Sequence, residues 1–221
     1  MNRLGDAAMQ VQNTMSREQL MAYASDPGNV LTQAFAGAVC TAFASGTFPA
    51  LLFGLSEQQF RCLLDRYFPG AWLELFAMAV LSDADAPCPA FHQEEMQDLI
   101  ALFLAHRSSE DEETTWLAYV IAAGCMGGNH LWQDLGLTGR QALSDLLRQN
   151  FTTLHDRNSG NMKWKKFFYK QLCDRAEVNL CKAPSCQVCS DYRSCFGPED
   201  ATGPAALSGD SGRAGRETQS A

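Results

Sequence analysis

The chain has 221 residues, of which 46% are hydrophobic, and it carries a formal net charge of −8. This length and hydrophobic content suit one domain with its own core, and they exclude a chain that is disordered throughout. The acidic balance argues against nucleic-acid binding, because phosphate groups repel an acidic surface. No apolar stretch is long enough to span a bilayer and the N-terminus lacks the apolar region of a signal peptide, so we expect a cytoplasmic protein that does not bind membranes.

Helix signals follow one another along the first half of the chain. Ser16 and Ser56 each precede a glutamine by three residues, which is the capping-box pattern that begins a helix. The turn residues at 26–28 are predicted to end the first of these helices, and those at 69–70 to end the second. Apolar residues at helical spacing predict further helices over 30–44, 72–81, 94–106 and 115–126.

The second half continues the helical pattern and contains no useful stretch of strand-like alternation. Gly-Gly-Asn at 127–129 is predicted to stop one helix, and Thr138 to cap the next. The fold class is therefore predicted to be all-α, with a single helical domain over 16–199.

A flexible segment over 1–15 is predicted to precede the domain. The domain is predicted to end in a cysteine-rich, metal-binding loop over 173–195. Residues 200–221 are rich in Gly, Ser, Ala and Thr, so we predict a disordered tail there.

The cysteines carry the main chemical signal in the sequence. Nine are present, and five of them lie between residues 173 and 195. In a reducing compartment, clustered cysteines indicate metal ligands or redox groups rather than disulfides. A C-x4-C-x2-C-x5-C run is formed by Cys181, Cys186, Cys189 and Cys195. Its C-x2-C step lets two thiolates reach one metal centre from a tight turn.

Spacing and ligand type leave three identities open for the bound metal. Four thiolates suit structural zinc, although zinc ribbons usually pair two C-x2-C steps and this run has one. The first three cysteines match the plant-type ferredoxin spacing, but that fold is rich in strands and places its fourth cysteine much further along. An iron–sulfur cluster of another kind fits the soft ligands best, and a different metal is the third alternative.

A basic and aromatic segment precedes the cysteine run. On a helix, one face would carry Trp164, Phe167 and Phe168. The opposite face would carry Lys163, Lys166 and Lys170. The ordinary interpretation is a packed aromatic stripe with a solvated basic face. The functional interpretation is that the lysines attract an anion or an acidic partner to the metal loop of an otherwise acidic protein.

Three segments in the second half of the chain share the motifs of one known family. The first, at 124–137, reads Gly-Cys-Met-Gly-Gly-Asn-His-Leu-Trp-Gln-Asp-Leu-Gly-Leu. The second, at 162–173, reads Met-Lys-Trp-Lys-Lys-Phe-Phe-Tyr-Lys-Gln-Leu-Cys, and the third is the cysteine run, closing in Cys-Phe-Gly-Pro-Glu at 195–199. In this order they span about 116–199, and they resemble the NifQ family of nitrogen-fixation proteins.

The resemblance implies a function in the assembly of the iron–molybdenum cofactor of nitrogenase. NifQ proteins are understood to bind a molybdenum–iron–sulfur cluster and to donate molybdenum, taken up as molybdate, to the NifEN scaffold acting with the nitrogenase iron protein. The resemblance assigns the cluster to the four cysteines of the run. A carrier of this kind is not an enzyme, and the sequence contains no nucleotide-binding, nucleophile-elbow or zinc-hydrolase motif.

His130 and Cys173 are further candidate ligands. His130 follows Cys125 by five residues in the family-like segment, where a histidine is ordinarily structural but could bind molybdenum. Cys173 precedes the run by eight residues and is either a half-buried thiol or a fifth ligand. Two other functions stay open as alternatives, a helical interaction module stapled by structural zinc and an iron–sulfur redox sensor.

We expect the tail after Glu199 to be dispensable, because it has too little apolar surface to fold. A chain truncated at Asp200 should keep the helix content and the metal content of the full chain. Circular dichroism and elemental analysis of anaerobically purified protein measure the two quantities. Unfolding or loss of metal on truncation would show that the tail has a function.

Overall fold

The computed structural model describes residues 15–44, 52–81, 90–177, 186, 189–190 and 192–199. These residues form α-helices and one short 3-10 turn, with no strand among them, which confirms the predicted all-α class. No helix in these ranges is both long and apolar enough to cross a membrane. The predicted tail, most of the predicted N-terminal segment and residues 82–89 lie outside the described residues.

The helices are numbered here in chain order. They are α1 (Arg17–Met21), α2 (Val30–Ala44), α3 (Glu57–Tyr67), α4 (Trp72–Leu81), α5 (Ala90–Ala105), α6 (Glu112–Cys125), α7 (Leu131–Asp134), α8 (Arg140–Asn150), α9 (Thr152–Arg157), α10 (Trp164–Arg175) and α11 (Tyr192–Phe196). The 3-10 turn, Leu52–Gly54, lies between α2 and α3. The bounds of α2 and α4 are those that the apolar spacing predicts.

Local capping explains where several helices begin. Both predicted capping boxes are confirmed, since Ser16 and Ser56 each accept a hydrogen bond from the backbone N–H three residues on. The predicted cap at Thr138 is wrong: Gly139 occupies the cap position of α8, and no side chain bonds to the helix start there. Helix α5 begins at Ala90, four residues before the predicted start.

The first helix is shorter than the sequence predicts. It ends at Met21 rather than at the turn residues 26–28. The N–H groups of Tyr23 and Ala24 bond to carbonyls three residues back, which tightens the chain out of the helix. Ser25 then donates its N–H to the carbonyl of Tyr67, 3.0 Å away, so a tertiary contact with the end of α3 replaces another helical turn.

The core is built around α6, which packs against α2, α3, α5, α7 and the 3-10 turn. Aromatic rings fill much of the space between the helices. The ring centroid of Phe103 in α5 lies 4.8 Å from that of Phe168 and 5.3 Å from that of Phe151. Burying each such side chain stabilises the fold by roughly 1.5–3 kcal/mol relative to exposure. Met15 is also buried, so the core begins inside the N-terminal segment that we expected to be flexible.

One backbone contact fixes α2 against the chain that follows α7. A Cβ added at Gly37 would overlap the carbonyl oxygen of Leu135 and would lie 2.6 Å from the Cα of Gly136. Gly136 itself has a φ of 60°, a conformation that favours glycine. Arg17 secures the turn, because its Nη1 donates to the Gly136 carbonyl at 2.6 Å. The contact holds in place the short α7 segment, whose N-terminus carries His130.

Gly37→Ala should destabilise the protein by about 1–3 kcal/mol, because the added methyl group cannot fit between the two backbones. In an open helix the same change would instead stabilise by roughly 0.5–1 kcal/mol. Gly128→Ala is the control, since a Cβ there meets nothing within 4 Å. Urea unfolding followed by circular dichroism gives both values, and a Gly37→Ala protein as stable as the wild type would contradict the close packing.

Candidate metal centre

The described cysteines of the predicted run differ in their exposure. Cys186 is exposed, whereas Cys189 and Cys195 are half-buried, and Cys181 lies outside the described residues. The N–H of Cys189 points to the carbonyl of Cys186 at 3.4 Å, so these two cysteines share one tight turn. Within the described ranges, no three His, Cys, Asp or Glu side chains form a group that could hold a metal ion. The ligand set therefore stays a prediction, and thiolates suit a soft metal or cluster by their chemistry.

The last cysteine of the run is attached to the helical body. Cys195 lies on α11, a short helix in a segment that the sequence predicts as a loop. Its carbonyl accepts the N–H of Lys163 at 2.8 Å, and Phe196 next to it packs against the core. The ring of Phe196 also stacks on Tyr192, with ring centroids 4.6 Å apart. These contacts fix Cys195 at the N-terminus of α10.

A salt bridge ties down the segment after Cys195. Glu199 is nearly buried, with 6% of its side chain exposed, and its carboxylate pairs with Arg140 at the start of α8. The other guanidinium nitrogen of Arg140 donates to the Asn161 side chain at 2.9 Å and to the Met162 carbonyl at 2.8 Å. Arg140 thus joins α8, the turn before α10 and the end of the cysteine run.

The Gly-Gly-Asn turn of the family-like segment encloses a buried carboxylate. Asp134, with 2% of its side chain exposed, forms an ion pair of 2.6 Å with Lys165 of α10. Lys165 also donates to the Gly127 carbonyl at 2.7 Å, and the Asn129 amide donates to Asp134 at 3.0 Å. A Cβ at Gly127 would lie 2.5 Å from the carboxylate, so the glycine leaves room for it. This part of the motif is structural.

A cavity of about 190 Å³ lies where these elements meet. The N-termini of α7 and α10 and the chain around α11 contribute to its wall. Its polar lining includes His130, Lys163, Lys165, Lys166, Ser194 and Glu199. The His130 ring is partly exposed, and its Nδ1 lies 4.0 Å from the Glu199 carboxylate.

The structure divides the predicted basic face. Lys163 and Lys166 line the same cavity, but Lys170 pairs with Asp174 one turn further along α10, at 2.7 Å. Lys163 precedes the helix rather than belonging to it, because α10 begins at Trp164. The predicted aromatic face is confirmed, since Trp164, Phe167 and Phe168 are buried. Sequence spacing missed Lys165, whose partner Asp134 is 31 residues away.

The remaining cysteines differ in their surroundings. Cys125 is buried in the core, and burial raises its pKa to about 12. Cys62 is exposed on α3, and Cys40 is half-buried. Cys173 is half-buried on α10, and the described residues do not group it or His130 with two further ligands.

Comparison with known proteins identifies the family. The family model for NifQ matches residues 32–197, about three-quarters of the chain. The chain belongs to the NifQ family. The match extends over the N-terminal half, well beyond the motifs at 116–199, and it covers both the helical core and the cysteine run. Membership implies a role in nitrogen fixation and in molybdenum processing.

Individual NifQ proteins support the assignment. Protein NifQ of Azotobacter vinelandii is 40% identical over 153 residues, which are 66% of this chain and 77% of that protein. Protein NifQ of Rhodobacter capsulatus is 38% identical over 146 residues, 66% of this chain and 76% of that protein. A NifQ homologue of Sinorhizobium fredii is 40% identical over 144 residues, 65% of this chain and 60% of that protein. No solved structure matches the chain significantly.

Lys165→Ala should destabilise the protein by roughly 3–5 kcal/mol, because it leaves the buried Asp134 carboxylate without its partner. The neighbouring change Lys166→Ala is the matched control, and its cost should stay within about 0.5 kcal/mol since Lys166 is exposed. Thermal and urea unfolding measure both. Equal stabilities of the two variants would show that the ion pair contributes nothing to the fold.

Proposed function

We propose that this protein is a molybdenum carrier, which holds a molybdenum–iron–sulfur cluster on Cys181, Cys186, Cys189 and Cys195 and donates molybdenum to assembly of the nitrogenase iron–molybdenum cofactor. Family membership supports the nitrogen-fixation context. The observation that carries the rest is the placement of the described cysteines of the run. Cys186 is exposed and Cys189 and Cys195 are half-buried, on a segment attached to the helical body at Cys195.

The donor set suits this cargo chemically. Molybdenum enters cells as molybdate, a hard oxyanion, whereas its place in an iron–sulfur cofactor requires a reduced metal with sulfur ligands. Thiolates are soft donors and favour that second state. Cys125 is buried in the core, where a metal could not reach it, and this burial separates it from the exposed Cys186 of the run.

Surface placement also suits transfer to a partner. A carrier must hold its metal until it meets the acceptor and must then release it. Cys186 is exposed, so an acceptor can approach its side of the run directly. Cys195 is fixed at the other end by the Lys163 N–H and by the Arg140–Glu199 pair nearby. We infer that one end of the run anchors the cluster and the other faces the acceptor.

The acceptor in this proposal is the NifEN scaffold acting with the nitrogenase iron protein, and the original source of the metal is molybdate. The chain itself carries the cluster and does not act as an enzyme. Lys166, exposed beside the attached end of the run, contributes positive charge with which an acidic partner surface could pair.

Replacing any one of the four cysteines of the run by Ala should remove the cluster, because an open cluster corner is exposed to water and oxygen. We expect the iron–sulfur absorbance and the molybdenum content of anaerobically purified protein to be lost. Circular dichroism should keep its helical signal, since the core lies upstream of the run. Elemental analysis for iron, molybdenum and zinc provides the measurement.

Two cysteines outside the run are the matched controls. Cys40→Ala should keep the metal and cost roughly 1–2 kcal/mol of stability, because the side chain is half-buried. Cys62→Ala should keep the metal at almost no cost, since this thiol is exposed. If wild-type protein from cells supplied with iron and molybdate contains only zinc, the carrier proposal fails and a zinc-stapled interaction module replaces it.

A further inference from the structure

We propose that the cavity between α7, α10 and α11 binds a tetrahedral dianionic oxyanion and, given the proposed function on which this identification rests, that its ligand is molybdate. The cavity would hold the oxyanion beside the cysteine run by noncovalent contacts alone. Nothing in this step changes the oxidation state of the metal. The assignment combines the volume of the cavity, its charge and its position.

The volume of the cavity suits a small ion with some water. At about 190 Å³ it far exceeds the roughly 10–15 Å³ that one water requires. It is also smaller than the roughly 300–1,000 Å³ typical of sites for drug-sized ligands. An acidic side chain of a partner protein could enter the cavity only if the partner's backbone came up to the opening. A free ion has no such requirement, so it fits the volume better.

The charged groups around the cavity leave a positive surplus. Lys163 and Lys166 line it and form no ion pair within the described part of the chain. Lys165 is neutralised by Asp134, and the Glu199 carboxylate, which would otherwise repel an anion, is neutralised by Arg140. Two lysines that form no ion pair among the described residues therefore line one cavity, in a protein whose net charge is −8.

Hydrogen-bond donors accompany this charge. Helix α10 starts in the wall of the cavity, and no side chain caps its N-terminus. The first N–H groups of a helix have no partner within the helix, and its dipole favours an anion at that end. Asn129 and Ser194 add an amide and a hydroxyl group to the lining. Together with the lysines, these groups form the donor set that oxyanions require.

The position of the cavity connects it with the cysteine run. Ser194 lines it and immediately precedes Cys195. Lys163, on the other wall, donates its backbone N–H to the carbonyl of Cys195 at 2.8 Å. An oxyanion held between these residues would therefore lie close to one end of the predicted ligand set, which suits a site that receives the metal before thiolates bind it.

Equilibrium dialysis of the full-length protein against labelled molybdate tests the proposal, with sulfate and phosphate as competitors. Wild-type protein should bind one molybdate. The double change Lys163→Gln and Lys166→Gln should weaken binding by about tenfold or more, because it removes both positive charges. Lys170→Gln removes the same charge from the same helix outside the cavity and should change binding by less than about twofold. Arg157→Gln, at an exposed position of α9 outside the cavity lining, is a second control.

The Cys186→Ala protein separates the cavity from the thiols. It should still bind molybdate while losing the cluster, and loss of oxyanion binding there would assign the anion to the cysteines and overturn the proposal. Equal weakening by Lys170→Gln would indicate a diffuse basic surface and would also overturn it. Binding of sulfate or phosphate but not of molybdate would overturn the proposal as well.

The two proposals can fail separately. Wild-type protein that carries iron and molybdenum but binds no oxyanion would refute the cavity and leave the carrier function standing. Protein that binds molybdate in the cavity but takes up only zinc on its cysteines would refute the carrier function and leave the cavity standing.

Discussion

The buried ion pair between Lys165 and Asp134 holds together the region on which the proposed function depends. It connects the turn between α6 and α7 with the N-terminus of α10, at a distance of 2.6 Å. Removing a carboxylate and an ammonium group from water costs several kcal/mol, and the pair offsets this cost only through good geometry and further hydrogen bonds. Asn129 and the Gly127 carbonyl supply those bonds. Because Lys165 is held in this ion pair, the nearby Lys163 and Lys166 remain available to solvent or ligand.

The cysteine run depends on this region in turn. Once the start of α10 is fixed, the Lys163 N–H is placed to bind the Cys195 carbonyl, and Arg140 is placed to bind Glu199. A short helix of five residues such as α11 is marginal on its own, so these contacts account for its order. Cys195 is therefore oriented by the helical body.

Much of the fold could be predicted from local patterns. The bounds of α2 and α4 and the capping boxes at Ser16 and Ser56 depend on residues within a few positions of one another. The predictions that failed concern ends decided by distant partners. Helix α1 stops early because Ser25 bonds to Tyr67, and α8 begins without the predicted side-chain cap at Thr138. Propensity and capping are weak terms, of about 1 kcal/mol or less, and tertiary contacts override them.

The sequence by itself determined the helical class and the family, because periodicity and motif order are both properties of neighbouring residues. Only the tertiary structure decided which charges are paired and which face a cavity. Lys165 and Lys166 are adjacent and chemically identical, yet one pairs with a buried carboxylate 31 residues away and the other is exposed. Arg140 and Glu199 are separated by 59 residues. Spacing along the chain contains no information about such pairs, because packing of the helices brings them together.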